Sequence, residues 1–194
     1  IEAELLKHIQ PFINLAEKIG LLIAQFAEGR IHEVKIKYAG DITIHDTKPV
    51  TIALVKGLLS RVLVENVNYV NAASLAKDRG INITESRSTD TEDFVNLIAA
   101  EVVTDKSSCS IYGTLFTKRD PRIVRINEFY VDLIPSGNLL VITNIDKPGI
   151  VGYIGNLMGS HNINIAGMTF GRVAPGGEAI TVLNVDSTVP KEVL

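Results

Sequence analysis

Residues 139–186, LLVITNIDKPGIVGYIGNLMGSHNINIAGMTFGRVAPGGEAITVLNVD, decide how the rest of the chain is read. Residues 139–145 are an apolar, β-branched run of strand length. Asn144, Asp146, Lys147, Pro148 and Gly149 bring polar groups to the point where that strand ends. Pro148 has a fixed φ and no N–H, so it is expected to open a helix. Ile150, Val151, Ile154, Leu157 and Met158 then fall on one face of that amphipathic helix. Ile163 and Ile165 alternate with Asn162 and Asn164 as the chain returns to the sheet. Ala174-Pro175-Gly176-Gly177 is a turn that feeds Ile180, Val182 and Val185 of a third strand. The pattern is β-α-β-β, half or more of a split βαβ sandwich.

Upstream, Pro135-Ser136-Gly137-Asn138 breaks the chain and is the expected domain boundary. Residues 31–135 read as a mixed α/β domain and residues 137–194 as a second, smaller one. Residues 32–38, HEVKIKY, alternate strictly, with Val34, Ile36 and Tyr38 on the face to be buried. Ile42 and Ile44 allow a bulge or a continuation of that strand. Asp46-Thr47-Lys48-Pro49 reads as a helix start. Ile52, Val55, Leu58, Leu59, Val62 and Leu63 give the helix its stripe. A short helix is expected to end at Gly80, followed by strands at 81–86 and 95–103 and three more within 109–134. Residues 1–30 carry Phe12, Leu15, Ala16, Ile19, Leu22, Ile23 and Phe26 at helical spacing, with Pro11 suited to a first turn and Gly29 to a stop. The fold class is α+β.

The 194 residues are 46% apolar and 21% charged, with a net charge of −3, which argues against a nucleic-acid binder with its basic footprint. No apolar run approaches the roughly 18 residues that cross a bilayer. The start, Ile1-Glu2-Ala3-Glu4, has neither a basic n-region nor an initiator Met, and the chain reads as part of something longer. The single cysteine, Cys109, excludes an internal disulfide and a cysteine-based metal centre within one chain, and points to a reduced, cytoplasmic setting. His8, His32, His45 and His161 have no metal-like spacing. Gly149, Gly152 and Gly155 form G-x-x-G-x-x-G, which is not the dinucleotide fingerprint, and read as loop closure and close helix packing.

Two groups of residues carry candidate chemistry. In the loop at residues 144–149, Asp146 can hold an ammonium group, and Asn144 and Asn164 can each donate and accept. The helix N-terminus offers N–H groups to a carboxylate, so the set suits an amino-acid zwitterion. The alternative is that Asp146 only caps the helix. Lys118, Arg119, Arg122 and Arg125 place four cations within eight residues, enough for a phosphate or carboxylate. Strand alternation points Arg122 and Arg125 to opposite faces, and a solvated turn is the alternative.

The stretch NIDKPGIVGYIGNLMGSHNINIAGMTFGR resembles the ACT domain of bacterial D-3-phosphoglycerate dehydrogenases. PFINLAEKIGLLIAQ, in residues 1–30, resembles the helix that re-enters their substrate-binding domain. YAGDI and RIVRINEFYVDL, in residues 31–135, resemble the intervening, allosteric substrate-binding domain of the long form. The resemblance implies a ferredoxin-like βαββ(αβ) ACT domain whose last helix and strand are missing from this chain. It implies L-serine as a feedback inhibitor held between paired ACT domains by Asn144, Asp146 and Asn164, with Pro148 and Gly149 shaping the loop. Asn144 stands where His or Tyr is common. An anion site for phosphorylated substrate in the intervening domain is implied near Arg122. The parent enzyme would oxidise 3-phosphoglycerate to 3-phosphohydroxypyruvate with NAD, as a homodimer or homotetramer joined through both domains. This chain, with no cofactor and no catalytic residue of its own, would be inactive alone. A subunit of an L-serine dehydratase and a plain oligomerisation module are the other readings.

Overall fold

The computed structural model describes residues 3–117 and 119–194, with side chains described from residue 7 onward. The chain divides into two compact units, Ile1–Asn127 and Glu128–Leu194. The division falls ahead of the Pro135 break expected from sequence. The reason is the strand at 129–133, which packs on the strand at 165–172 of the second unit.

In the first unit, α1 (Ala3–Phe26) is followed by β1 (Ile31–Gly40), α2 (Lys48–Val62), α3 (Ala72–Asp78), β2 (Asn82–Ser88), β3 (Asn96–Thr104), β4 (Ser108–Leu115) and β5 (Pro121–Ile126). Pro11 does not open α1 but lies inside it, at the cost of the bond its N–H would have made to the Lys7 carbonyl. The apolar spacing persists across it: Ile9, Phe12, Ile13, Leu15, Ala16, Ile19 and Ile23 are all buried. α1 thus packs as part of this unit. Its packing partner is α2, and the two backbones cross at glycines. A Cβ on Gly20 would meet the Leu54 carbonyl and the Leu58 N–H, and one on Gly57 the Glu17 carbonyl and the Leu21 N–H. Gly113 of β4 admits Leu15 and Ile19 in the same way, each 2.9 Å from where a Cβ would stand.

Within this unit the strands run β2-β1-β3-β4-β5. β1 is parallel to β2 and antiparallel to β3, and the remaining pairs are antiparallel. The alternation of HEVKIKY is realised, with Val34, Ile36 and Tyr38 at 0–1% exposure. The Tyr38 hydroxyl is satisfied by Thr51 Oγ1 at 2.7 Å. β1 does not continue through Ile44, because residues Asp41–Ile44 turn as a 3₁₀ helix that buries Ile42 and leaves Ile44 in solvent. The stripe of α2 is wider than expected: Val55, Leu58 and Leu59 are buried as the spacing predicts, Val50, Ala53 and Leu54 are buried as well, and Val62 is exposed. Gly80, directly after the Arg79 C-cap of α3, takes the positive φ of a helix stop, +71°, while Gly29, at +89°, lies three residues beyond the end of α1.

The second unit holds β6 (Phe129–Leu133), β7 (Asn138–Ile145), α4 (Ile150–Ser160), β8 (Ile165–Arg172) and β9 (Glu178–Val185). β7-β9-β8 is an antiparallel sheet with β7 at one edge. β6 lies against β8: the Asp132 N–H donates to Thr169 Oγ1 at 3.2 Å, and Gly171 lies under the Tyr130 carbonyl. On the other face Ile154 and Met158 of α4 pack with Ile163, Leu183 and Val185. Val189 and Val193, around a 3₁₀ turn at Lys191–Val193, close the end of that core. The α+β class and the β-α-β-β order follow the sequence reading. Val151, however, is exposed, and α4 begins at Ile150 rather than at Pro148. Nothing among the described residues of this chain lies within 4 Å of the Cβ positions of Gly152 and Gly155, so the close packing expected of them is not made within the chain.

Candidate functional site

The loop between β7 and α4 is built by two neighbouring turns. β7 ends at Ile145, and the Asp146 N–H donates to the Gly177 carbonyl at 2.8 Å, joining this loop to the β8–β9 hairpin. The Asp146 carboxylate accepts from Arg172 Nη1 at 2.5 Å and from the Gly176 N–H at 3.4 Å. The Arg172 guanidinium, followed by the Gly176 N–H, outweighs partial desolvation and holds Asp146 below its ordinary carboxylate value. Asp146 therefore does not cap α4. The N-cap is Gly149, at φ +93°, ψ −15°, with no side-chain hydrogen bond to the first turn. A residue with a Cβ is strained at that φ, so the reading of Gly149 as a loop-closing residue holds. Pro148 lies in the turn before it.

Asn144 sits one strand row from this loop, paired with Ala179, which is paired in turn with Arg172. Its Nδ2 donates to the Ile145 carbonyl at 3.0 Å, and its Oδ1 accepts from Thr181 Oγ1 at 3.5 Å. Asp146, Arg172, Asn144 and the first turn of α4 thus form one polar corner. It offers a carboxylate to an ammonium group, and a guanidinium and backbone N–H groups to a carboxylate. Arg172 was not singled out from sequence. The signal was its place at the end of β8, opposite Ala179, which only the strand register reveals.

Asn164 is elsewhere. It directly precedes β8, at the other end of the sheet, where Ile165 pairs with Val185. Ala179 and Val185 lie about 20 Å apart along an antiparallel strand at roughly 3.4 Å per residue. There Asn164 Nδ2 donates to Asp186 Oδ2 at 2.7 Å, and its carbonyl accepts from the Asp186 N–H. The chain does not bring Asn164 to Asp146.

Nor does it gather the four cations. Lys118 lies outside the described residues. Arg122 pairs with Asp120 and lies over the Phe116 ring at 5.2 Å. Arg125 pairs with Glu92 at 2.8 Å and stacks over Tyr112 at 3.5 Å. Arg119 is exposed and lines a groove of about 670 Å³ along α1, with Lys7, Gln10, Asn14 and Lys18. Sequence also gave no sign of the Glu17 cluster between α1 and α2. Burial would push the Glu17 carboxyl up, but hydrogen bonds from Lys56 (2.5 Å) and Tyr69 leave it lowered. The same bond pushes Tyr69 up to about 12. Cys109 is a core residue, 4% exposed, its thiol raised to about 12 by burial. Among the described residues no group of three His, Cys, Asp or Glu could hold a metal ion, and no helix is long and apolar enough to cross a membrane.

A family model described as the D-3-phosphoglycerate dehydrogenase intervening domain matches residues 8–127, ending where the first unit ends. The chain belongs to that family. The intervening domain therefore takes in most of α1, with the sheet it packs on. Curated D-3-phosphoglycerate dehydrogenases match both units. That of Methanocaldococcus jannaschii is 39% identical over 194 residues, all of this chain and 37% of the relative. That of Synechocystis is 36% identical over 192 residues, 98% of this chain and 35% of the relative. That of Bacillus subtilis is 38% identical over 178 residues, 92% and 34% respectively. The chain spans just over a third of the length of these D-3-phosphoglycerate dehydrogenases.

Proposed function

We propose that the chain is the regulatory portion of a cytoplasmic D-3-phosphoglycerate dehydrogenase, and that its second unit is an ACT domain binding L-serine as a feedback effector. The observation that carries this reading is the polar corner at the N-terminus of α4. Asp146 takes the effector's ammonium group, while Arg172 and the first-turn N–H groups take its carboxylate. Asn144 stands beside them, with Pro148 and Gly149 setting the loop. The distance to Asn164 supports a site shared by two copies. Antiparallel apposition of two β8 edges sets the Asn164 end of one copy beside the Arg172 end of the other. Serine then biases the arrangement of subunits, and the bias reaches the active site of the parent enzyme.

The parent enzyme converts 3-phosphoglycerate to 3-phosphohydroxypyruvate with NAD in this reading. A dinucleotide does not fit the present residues. β7 is flanked by antiparallel β9 rather than by a parallel strand, and a pyrophosphate at α4 would face the Asp146 carboxylate. For the anion site of the first unit, Arg119 with Lys7 and Lys18 is the favoured location, since Asp120 and Glu92 engage Arg122 and Arg125.

Calorimetry of the chain with L-serine tests the proposal. Saturable heat is expected, lost in Asp146→Ala and weakened in Arg172→Gln. No heat with serine, or undiminished binding by Asp146→Ala, refutes the assignment.

A further inference from the structure

The first unit ends on an open strand. β2 has β1 on one side and, among the described residues, no strand on the other, and Asn82, Thr84, Glu85, Ser86 and Arg87 are exposed. Folded proteins commonly blunt such edges with a proline, a bulge or a cover. β2 contains no proline, and its register with β1 is unbroken from Asn82 to Ser88. The β1–β3 and β4–β5 pairs, by contrast, both carry a register shift. The charges on β2 are an opposite pair two positions apart, which strand alternation places on one face. Each is anchored: Glu85 Oε2 accepts from Thr47 Oγ1 at 3.1 Å, and Arg87 Nη1 donates to the Thr43 carbonyl at 3.0 Å.

We propose that this edge pairs with β2 of a second copy, antiparallel, about a two-fold axis at Ser86. Opposite residues of an antiparallel pair share a face, so a symmetric pair must centre on a residue rather than between two. With the axis at Glu85 two carboxylates stand opposite each other, and at Arg87 two guanidinium groups do, both unfavourable. With the axis at Ser86, Glu85 of each copy faces Arg87 of the other, and Thr84 faces Ser88. The unpaired N–H and C=O groups of both edges are then satisfied together. The contact uses one patch twice and closes on itself. It gives the self-association proposed above a surface in the first unit, and rests on that reading only for the expectation that copies associate.

Cross-linking tests the register. Side chains directly opposite each other lie about 5 Å apart, within disulfide reach. Ser86→Cys should give a covalent dimer on mild oxidation, with the buried Cys109 taking no part. Thr84→Cys alone should not, whereas Thr84→Cys mixed with Ser88→Cys should. Sedimentation tests the charges. Glu85→Arg or Arg87→Glu should each lower the associated mass by about half, and the double swap E85R/R87E should restore it. A Ser86→Cys chain that stays uncross-linked, or charge variants that keep the wild-type mass, overturn the pairing. Calorimetry on the same variants separates the two ideas. A lost cross-link with serine binding intact overturns the β2 contact, and lost serine binding with the cross-link intact overturns the effector reading.

Discussion

Replacing Gly57 with alanine should force α1 and α2 apart. The added methyl would occupy the space of the Glu17 carbonyl and press on the Leu21 N–H, and neither backbone atom can rotate away. Overpacking a core costs about 1–3 kcal/mol, and backbone obstacles favour the upper end. Alanine returns about 1 kcal/mol of helix preference over glycine, which leaves a net loss of about 2 kcal/mol. Gly152→Ala is the matched control. It is also a helical glycine, but nothing lies within 4 Å of its Cβ position, so a gain of about 0.5–1 kcal/mol is expected. Chemical denaturation followed by circular dichroism reads both. The chain has two units, so only the transition belonging to the first should move in Gly57→Ala. Gly20→Ala on top of it should cost less than it does alone, because the helices are already separated. A Gly57→Ala chain as stable as the wild type would refute this account of the crossing.

Asp146 has a depressed carboxyl in the folded chain, so its contribution is present above the unfolded value and is lost as pH falls through the folded one. The second unit should therefore weaken below about pH 4, and Asp146→Asn, followed by thermal melts across pH, should flatten that limb. Tyr69 is raised to about 12 by its bond to Glu17, so its contribution is complete below about pH 10 and fades as pH passes through the folded value. In Glu17→Gln, ultraviolet titration should show this tyrosine ionising at lower pH. Cys109 should resist thiol reagents in the native chain at neutral pH and react only on unfolding. Rapid native labelling would contradict its burial.

The parts legible in sequence were those fixed by a two-sided environment. HEVKIKY declared β1 because one face of that strand meets the core and the other does not. Gly29, Gly80 and Gly149 declared their turns because their φ values exclude other residues at little cost. What stayed hidden depended on partners distant in sequence. Gly20 and Gly57 look like weak points in two helices until the helices are seen to touch there. The basic cluster looked concentrated because Glu92, which engages Arg125, lies 33 residues away in a polar loop. Residues 129–133 read as the end of the first domain, yet they pack on β8, where the Asp132 N–H reaches Thr169 Oγ1 and Gly171 lies under the Tyr130 carbonyl. In the candidate site the loop was legible and its counter-ion was not, since Arg172 reaches Asp146 only through the β8–β9 register.

If the effector site is shared between two copies, as proposed, the separation of Asn144 and Asn164 along the sheet has a thermodynamic consequence. A binding site split between two molecules makes ligand occupancy and association the same equilibrium seen from two sides. Each must strengthen the other by an equal factor. Serine affinity in such an arrangement depends on protein concentration and falls on dilution, while serine lowers the concentration at which copies pair. The sensor would report how much enzyme is assembled as well as how much product is present.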